Sequence, residues 1–127
     1  MAANSPVPVH TQVGRGCHQY TWAMIDDSTG VGVSVPQAAD RSVQIIAAAY
    51  DSATITMQGS NVVAPNATTD WFTLTQVLDF SEAVSAAAAL NNTSIMQIGE
   101  NTLWIRPLES GGAGSVDITV NLLCRNG

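Results

Sequence analysis

The chain has 127 residues, 46% of them hydrophobic and 11% charged, with a formal net charge of −6. That length suits one core and not two, and the apolar content excludes a disordered tail. There is no lysine, and Arg15, Arg41, Arg106 and Arg125 stand scattered among ten carboxylates, which argues against a partner bound through its phosphate backbone.

The opening residues carry Pro6 and Pro8 among small side chains. Proline lacks a backbone N–H, so this stretch cannot donate a regular ladder and reads as an extended N-terminal arm, taken here as residues 1–17. His18 to Ile25 is rich in aromatic and β-branched residues and runs into the turn formers Asp26-Asp27-Ser28-Thr29-Gly30, the pattern of a strand and a turn. Val31 to Val35, broken by Gly32 and stopped at Pro36, fits an edge strand or loop.

Ser42 to Ala49 alternates and then becomes uniformly apolar, as a strand does on passing through a core. Thr54 to Gln58 alternates cleanly, with Ile55 and Met57 on one face, and the two strands are expected to form a hairpin around Asp51-Ser52. Gly59-Ser60-Asn61 ends the second strand. A surface loop with Pro65 and Asn66 follows, and Trp71 to Leu74 starts another strand.

Ser81 to Leu90 is the one stretch with helical character, carrying an alanine run and a possible cap at Ser81. Ser94 to Ile98 is a short strand, and Leu103 to Arg106 another that Pro107 should end. Gly111 to Gly114 reads as a hairpin turn. In the last strand Val116, Ile118, Val120, Leu122 and Cys124 share one face. Seven or eight short strands with Gly-rich turns predict an all-β fold, an antiparallel β-sandwich of jelly-roll type over residues 18–127.

Chemistry is hard to find in this pattern. His10 and His18 have no Cys or carboxylate at metal-ligand spacing, so no metal ligand, catalytic residue or cofactor is assigned. Cys17 and His18 are neighbours on a strand and face opposite ways, a poor arrangement for a thiolate pair. Asp26, Asp27, Asp40 and Asp51 lack the acidic rhythm of a calcium loop and read as solvated turn carboxylates. Cys17 and Cys124 are read as two free, half-buried thiols, because no secretory signal precedes them and cytosolic synthesis disfavours a bridge. Asn66-Ala67-Thr68 fits the glycosylation pattern, but without that signal it carries no weight. No apolar run approaches the roughly 18 residues of a membrane span, so neither a membrane nor a nucleic acid is an expected partner. Trp22, Trp71 and Trp104 are core candidates, with one of them open to a partner surface.

From Asp40 almost to its end the chain resembles the small capsid decoration, or cement, proteins of tailed bacteriophages. The resemblance rests on Asp40-Arg41-Ser42-Val43-Gln44, Thr54-Ile55-Thr56-Met57-Gln58-Gly59-Ser60-Asn61, Trp71 with Leu74, Ile105-Arg106-Pro107, Gly111-Gly112 and the strand from Val116 to Leu123. Such proteins are small β-sandwiches or jelly rolls that hold capsid subunits together from outside. The chain departs from the pattern at Ala47-Ala48-Ala49-Tyr50, where a Gly-containing step is common, and at Val62-Val63-Ala64-Pro65, where Asp-Gly is common. The resemblance implies a non-enzymatic virion protein, made in the host cytoplasm, on the outer surface of the capsid. Its partner would be the major capsid protein, with self-association as a dimer at twofold or a trimer at threefold positions. The net negative charge suits an electropositive capsid patch. The expected interface residues are Pro6, Val7, Pro8 and Val9 in the arm, Val62 and Val63 in the departing loop, and Trp71. The rival reading is a carbohydrate-binding module, since Gly59-Ser60-Asn61 followed by Trp71 also resembles part of discoidin-like domains, or another virion adhesion protein of the neck or tail.

Overall fold

The computed structural model describes residues 5–25, 28–36, 38–49, 53–66, 68–74, 76–77, 94–98, 101–111 and 114–126. Ten strands run in chain order: β1 (Val9–Gly14), β2 (Cys17–Met24), β3 (Val33–Ser34), β4 (Ala38–Ala49), β5 (Thr54–Ser60), β6 (Phe72–Thr73), β7 (Gln76–Val77), β8 (Ser94–Ile98), β9 (Trp104–Ser110) and β10 (Asp117–Asn126). No helix occurs among the described residues, and the expected helical stretch from Ser81 to Leu90 lies outside them.

The strands form two antiparallel sheets, one of six in the order β1-β2-β10-β4-β8-β7 and one of four in the order β3-β9-β5-β6. Alternation explains why they share a core. In β10, Ile118, Val120, Leu122 and Cys124 are buried while Asp117 and Arg125 are exposed, so every second residue faces inward. Ile55 and Met57 of β5 and Ile105 of β9 do the same from the smaller sheet. These side chains join Trp22, Met24, Val43 and Ile45 in one hydrophobic cluster. The register of β4 against β10 shifts between Arg125 and Asn126, and that bulge lets both Ala38 and Arg41 face inward despite their odd spacing.

Four expectations need correction. The strands from Ser42 and from Thr54 do not form a hairpin: β4 pairs with β10 and β8, whereas β5 pairs with β9 and β6. Both have an apolar face and both sets of those residues are satisfied by facing each other across the core. Gly111 to Gly114 likewise joins strands of different sheets rather than turning a hairpin.

Pro107 does not end its strand, for it pairs with Met57 inside β9. Its carbonyl accepts from Gly30 N–H at 2.8 Å and Glu109 N–H donates to Ser28 O at 2.8 Å. The missing N–H of Pro107 therefore faces the Ser28–Gly30 side, where Thr29 forms an isolated bridge with Leu108, and costs the β5 ladder nothing. The arm expected over residues 1–17 is in part a strand, since β1 pairs with β2 from Val9↔Thr21 to Gly14↔Cys17, and among the described residues it is 5–8 that lead up to it.

Gly30 makes the approach of the Ser28–Gly30 segment possible. A Cβ there would lie 2.6 Å from the Pro107 ring and 2.7 Å from Trp22 Cδ1. Only glycine lets the backbone settle onto those two rings.

Candidate functional site

The outer face of the four-stranded sheet holds the densest set of polar and aromatic contacts. Gln58 of β5 and Arg106 of β9 sit opposite each other, and Arg106 Nε donates to Gln58 Oε1 at 2.9 Å. The guanidinium carbon of Arg106 lies 4.1 Å from the Trp71 ring centroid, a cation–π contact. Burial pulls the Arg106 guanidinium down from its ordinary value. The edge of the Trp71 ring lies on Gly32, where a Cβ would approach Cη2 to 2.6 Å.

The loop between β5 and β6 explains how Trp71 is held. Asn66 Oδ1 accepts from the N–H groups of Thr68, Thr69 and Asp70 at 3.0, 2.8 and 3.2 Å. Asn66 N–H donates to Asp70 Oδ2 at 2.9 Å, and Asn66 O accepts from Trp71 Nε1 at 2.7 Å. Asparagine suits this position because its carbonyl can stand in for a backbone acceptor in a turn. Farther back, Trp104 Nε1 donates to Val63 O at 3.2 Å and Leu103 N–H to Asn61 Oδ1 at 3.2 Å. The loop is thus tied to β9 at one end and to itself at the other.

Beside the polar Asn61, Asn66, Thr68 and Thr69, this loop and the strand that follows it hold apolar side chains out in solvent. Val63 is 81% exposed and Phe72 70%, with Val62 also exposed. Val62, Val63 and Trp71, three of the residues expected at an interface, lie on one loop between β5 and β6. Pro6 joins them from the N-terminal side: its carbonyl accepts from Val31 N–H at 2.9 Å, one residue from the Gly32 that Trp71 covers. A hollow of about 410 Å³ between the two is lined by Ser5, Gly30, Val31, Gly32, Thr68 and Arg106, among others. Val7 is exposed and Pro8 half-buried, whereas Val9 belongs to β1 of the other sheet. Reasoning from sequence missed the exposed Phe72, Ile46 and Ile95, because an apolar residue within a strand pattern reads as core, and Val13, which fell in the expected arm.

The three tryptophans divide. Trp22 is fully buried, with Nε1 donating to Val31 O at 2.9 Å, while Trp71 and Trp104 are half-buried on the outer side. Arg41 is buried at one end of the core. Its Nε donates to Ala38 O, one terminal nitrogen to Thr102 Oγ1, and the other to Val35 O and Thr102 O, so it clamps the segments before β4 and β9.

The β1–β2 hairpin brings His10 and His18 together, with Nε2 and Nδ1 at 2.8 Å, and stacks His10 on Tyr20 at 4.9 Å between centroids. Among the described residues no group of three or more His, Cys, Asp or Glu converges as a metal site, and Asp26, Asp27 and Asp51 lie outside those residues. Cys17 and Cys124 are free thiols. Cys124 is buried, and that burial pushes its thiol up to about 11, which leaves it protonated and unreactive at neutral pH. No helix among the described residues is long and apolar enough to cross a membrane.

No protein-family model, curated protein or solved structure matches this chain.

Proposed function

We propose that this protein is a structural component of a phage particle that binds the outer surface of the capsid and steadies contacts between major capsid subunits. The observation that carries the reading is the loop from Asn61 to Trp71, which is anchored by hydrogen bonds yet holds apolar side chains out in water. Ordering a loop in advance lowers the entropy lost on binding, and exposed apolar side chains grouped among polar ones suit a contact surface.

Two further features support it. The strand orders β2-β10-β4-β8 and β3-β9-β5-β6 support reading the two sheets as a jelly-roll sandwich, an architecture common in viral capsid domains, with β1 and β7 as additions. Segments that carry the family resemblance also meet in space: Gln58, Trp71 and Arg106 come from three separate motifs and form one contact cluster. In this reading Val62, Val63, Phe72 and the N-terminal residues around Pro6 touch the capsid. The carbohydrate reading has less to stand on, since one side of the Trp71 ring carries Arg106 and its N–H is already used.

The test is co-sedimentation of the purified protein with capsids stripped of it, beside a Val63→Asp variant. Saturable binding at a fixed ratio to the capsid subunit, weakened about tenfold or more by the aspartate, is the expected result. Absence of saturable binding would overturn the reading.

A further inference from the structure

Each sheet ends in two edge strands, and the four edges are unequal. β7, β3 and β6 are two residues long, whereas β1 has six residues, all of them exposed. Short edge strands are a common guard against edge-to-edge pairing, as are charged residues and proline on the edge itself. β1 has none of these, for Val-His-Thr-Gln-Val-Gly contains no charged residue and no proline. Its one irregularity is the register shift between Gln12 and Gly14, at the turn end, so the pairing is regular from Val9 to Gln12. Among the described residues, no backbone hydrogen bond outside the sheet ladders engages these groups.

We infer that the free edge of β1 pairs, antiparallel, with the same edge of a second copy of this chain, so that the two six-stranded sheets become one. Charge favours a second copy as the occupant. The protein carries −6 overall, yet its first 25 residues contain no carboxylate and one arginine, Arg15. Two copies that repel elsewhere can approach here without bringing acidic groups together. Geometry favours a dimer over a fibre, because pairing β1 with its symmetry mate uses both long edges and leaves β7, two residues long among the described residues, at each end of the joined sheet. The contact is a property of the isolated chain and goes beyond the capsid reading, which leaves dimer and trimer open and assigns no contact to this edge.

Sedimentation equilibrium on the full chain, over a concentration series from about 1 µM to about 1 mM, tests it. The variant is Val9→Lys with Thr11→Lys, both exposed and both opposite or diagonal to their symmetry mates in any twofold pairing of β1. Added lysines make the net charge less negative, so any weakening cannot come from general repulsion. The wild-type chain is expected to reach the dimer mass within the series. The variant is expected to dissociate at least about tenfold more readily while melting as the wild type does when dilute. A wild-type monomer throughout, a trimer, or a variant that dimerises as tightly as the wild type would each overturn the pairing, whatever happens with capsids.

Discussion

The outer face of the four-stranded sheet carries its own loop, whereas no loop lies over the outer face of the six-stranded sheet among the described residues. On the first, Trp71 and Trp104 lean on β9 and spend their N–H groups on Asn66 O and Val63 O. On the second, the middle of the face is uncharged, with Gln19 and Thr21 both donating to Asn121 Oδ1 and with Gln44, Ile46, Ile95 and Gln97 exposed around them. The inner faces, by contrast, are alike in composition and feed one cluster. Burial inside thus holds the fold together, while the two outer faces are free to differ and to carry different contacts.

Trp22 gives the largest effect and the sharpest contrast with the outer face. It is fully buried in the core and bonded to Val31 O, so Trp22→Ala is expected to cost about 3–5 kcal/mol. Trp104→Ala removes an indole that is half in water and should cost about 1–2 kcal/mol. Chemical denaturation of both variants checks this. Equal losses would mean that the outer side of the smaller sheet is packed as tightly as the core.

A smaller effect sharpens the account of the loop. Arg106→Ala, Trp71→Ala and the double variant form a cycle whose coupling should be about 0.5–2 kcal/mol, because the guanidinium lies over the ring in a partly desolvated place. Unfolding free energies of the four proteins give that number directly. Coupling near zero would leave Trp71 held by Asn66 and Gly32 alone.

Much of this was legible in the residues. The alternation in β10 and β5 marked their buried faces, because period two is a local property that any strand with one wet side must show. Sheet membership was not legible. Asp51-Ser52 looks the same whether the chain turns within a sheet or crosses between two, and only the distant partners β9 and β10 decide. Pro107 misled for a related reason, since its cost depends on which neighbour its missing N–H would have faced. At the candidate site the loop and Trp71 could be picked out, but Arg106 as the group over the ring could not, because it arrives from a strand 35 positions away. The six-residue edge was hidden by Pro6 and Pro8, which made an arm of a segment whose second half has good strand character.

The smallest expected effect bears on the outer face of the six-stranded sheet. Ile95 and Ile98 stand in the same short strand, β8, and point to opposite sides, so Ile98 is buried while Ile95 is 62% exposed. Ile95→Gln should leave stability within about 0.5 kcal/mol of the wild type, since little apolar area leaves contact and glutamine is at home beside Gln44 and Gln97. Ile98→Gln places a polar amide in the core and should cost several times as much, about 3 kcal/mol. Thermal melts of the dilute protein separate the two. If Ile95→Gln proved as damaging as Ile98→Gln, the six-stranded sheet would have a covered outer face in the folded chain, and the contrast between the two sheets would have to be withdrawn. If it is silent when dilute and costly only at high concentration, Ile95 belongs to a contact between copies, and the interface extends from the β1 edge across the face of the sheet.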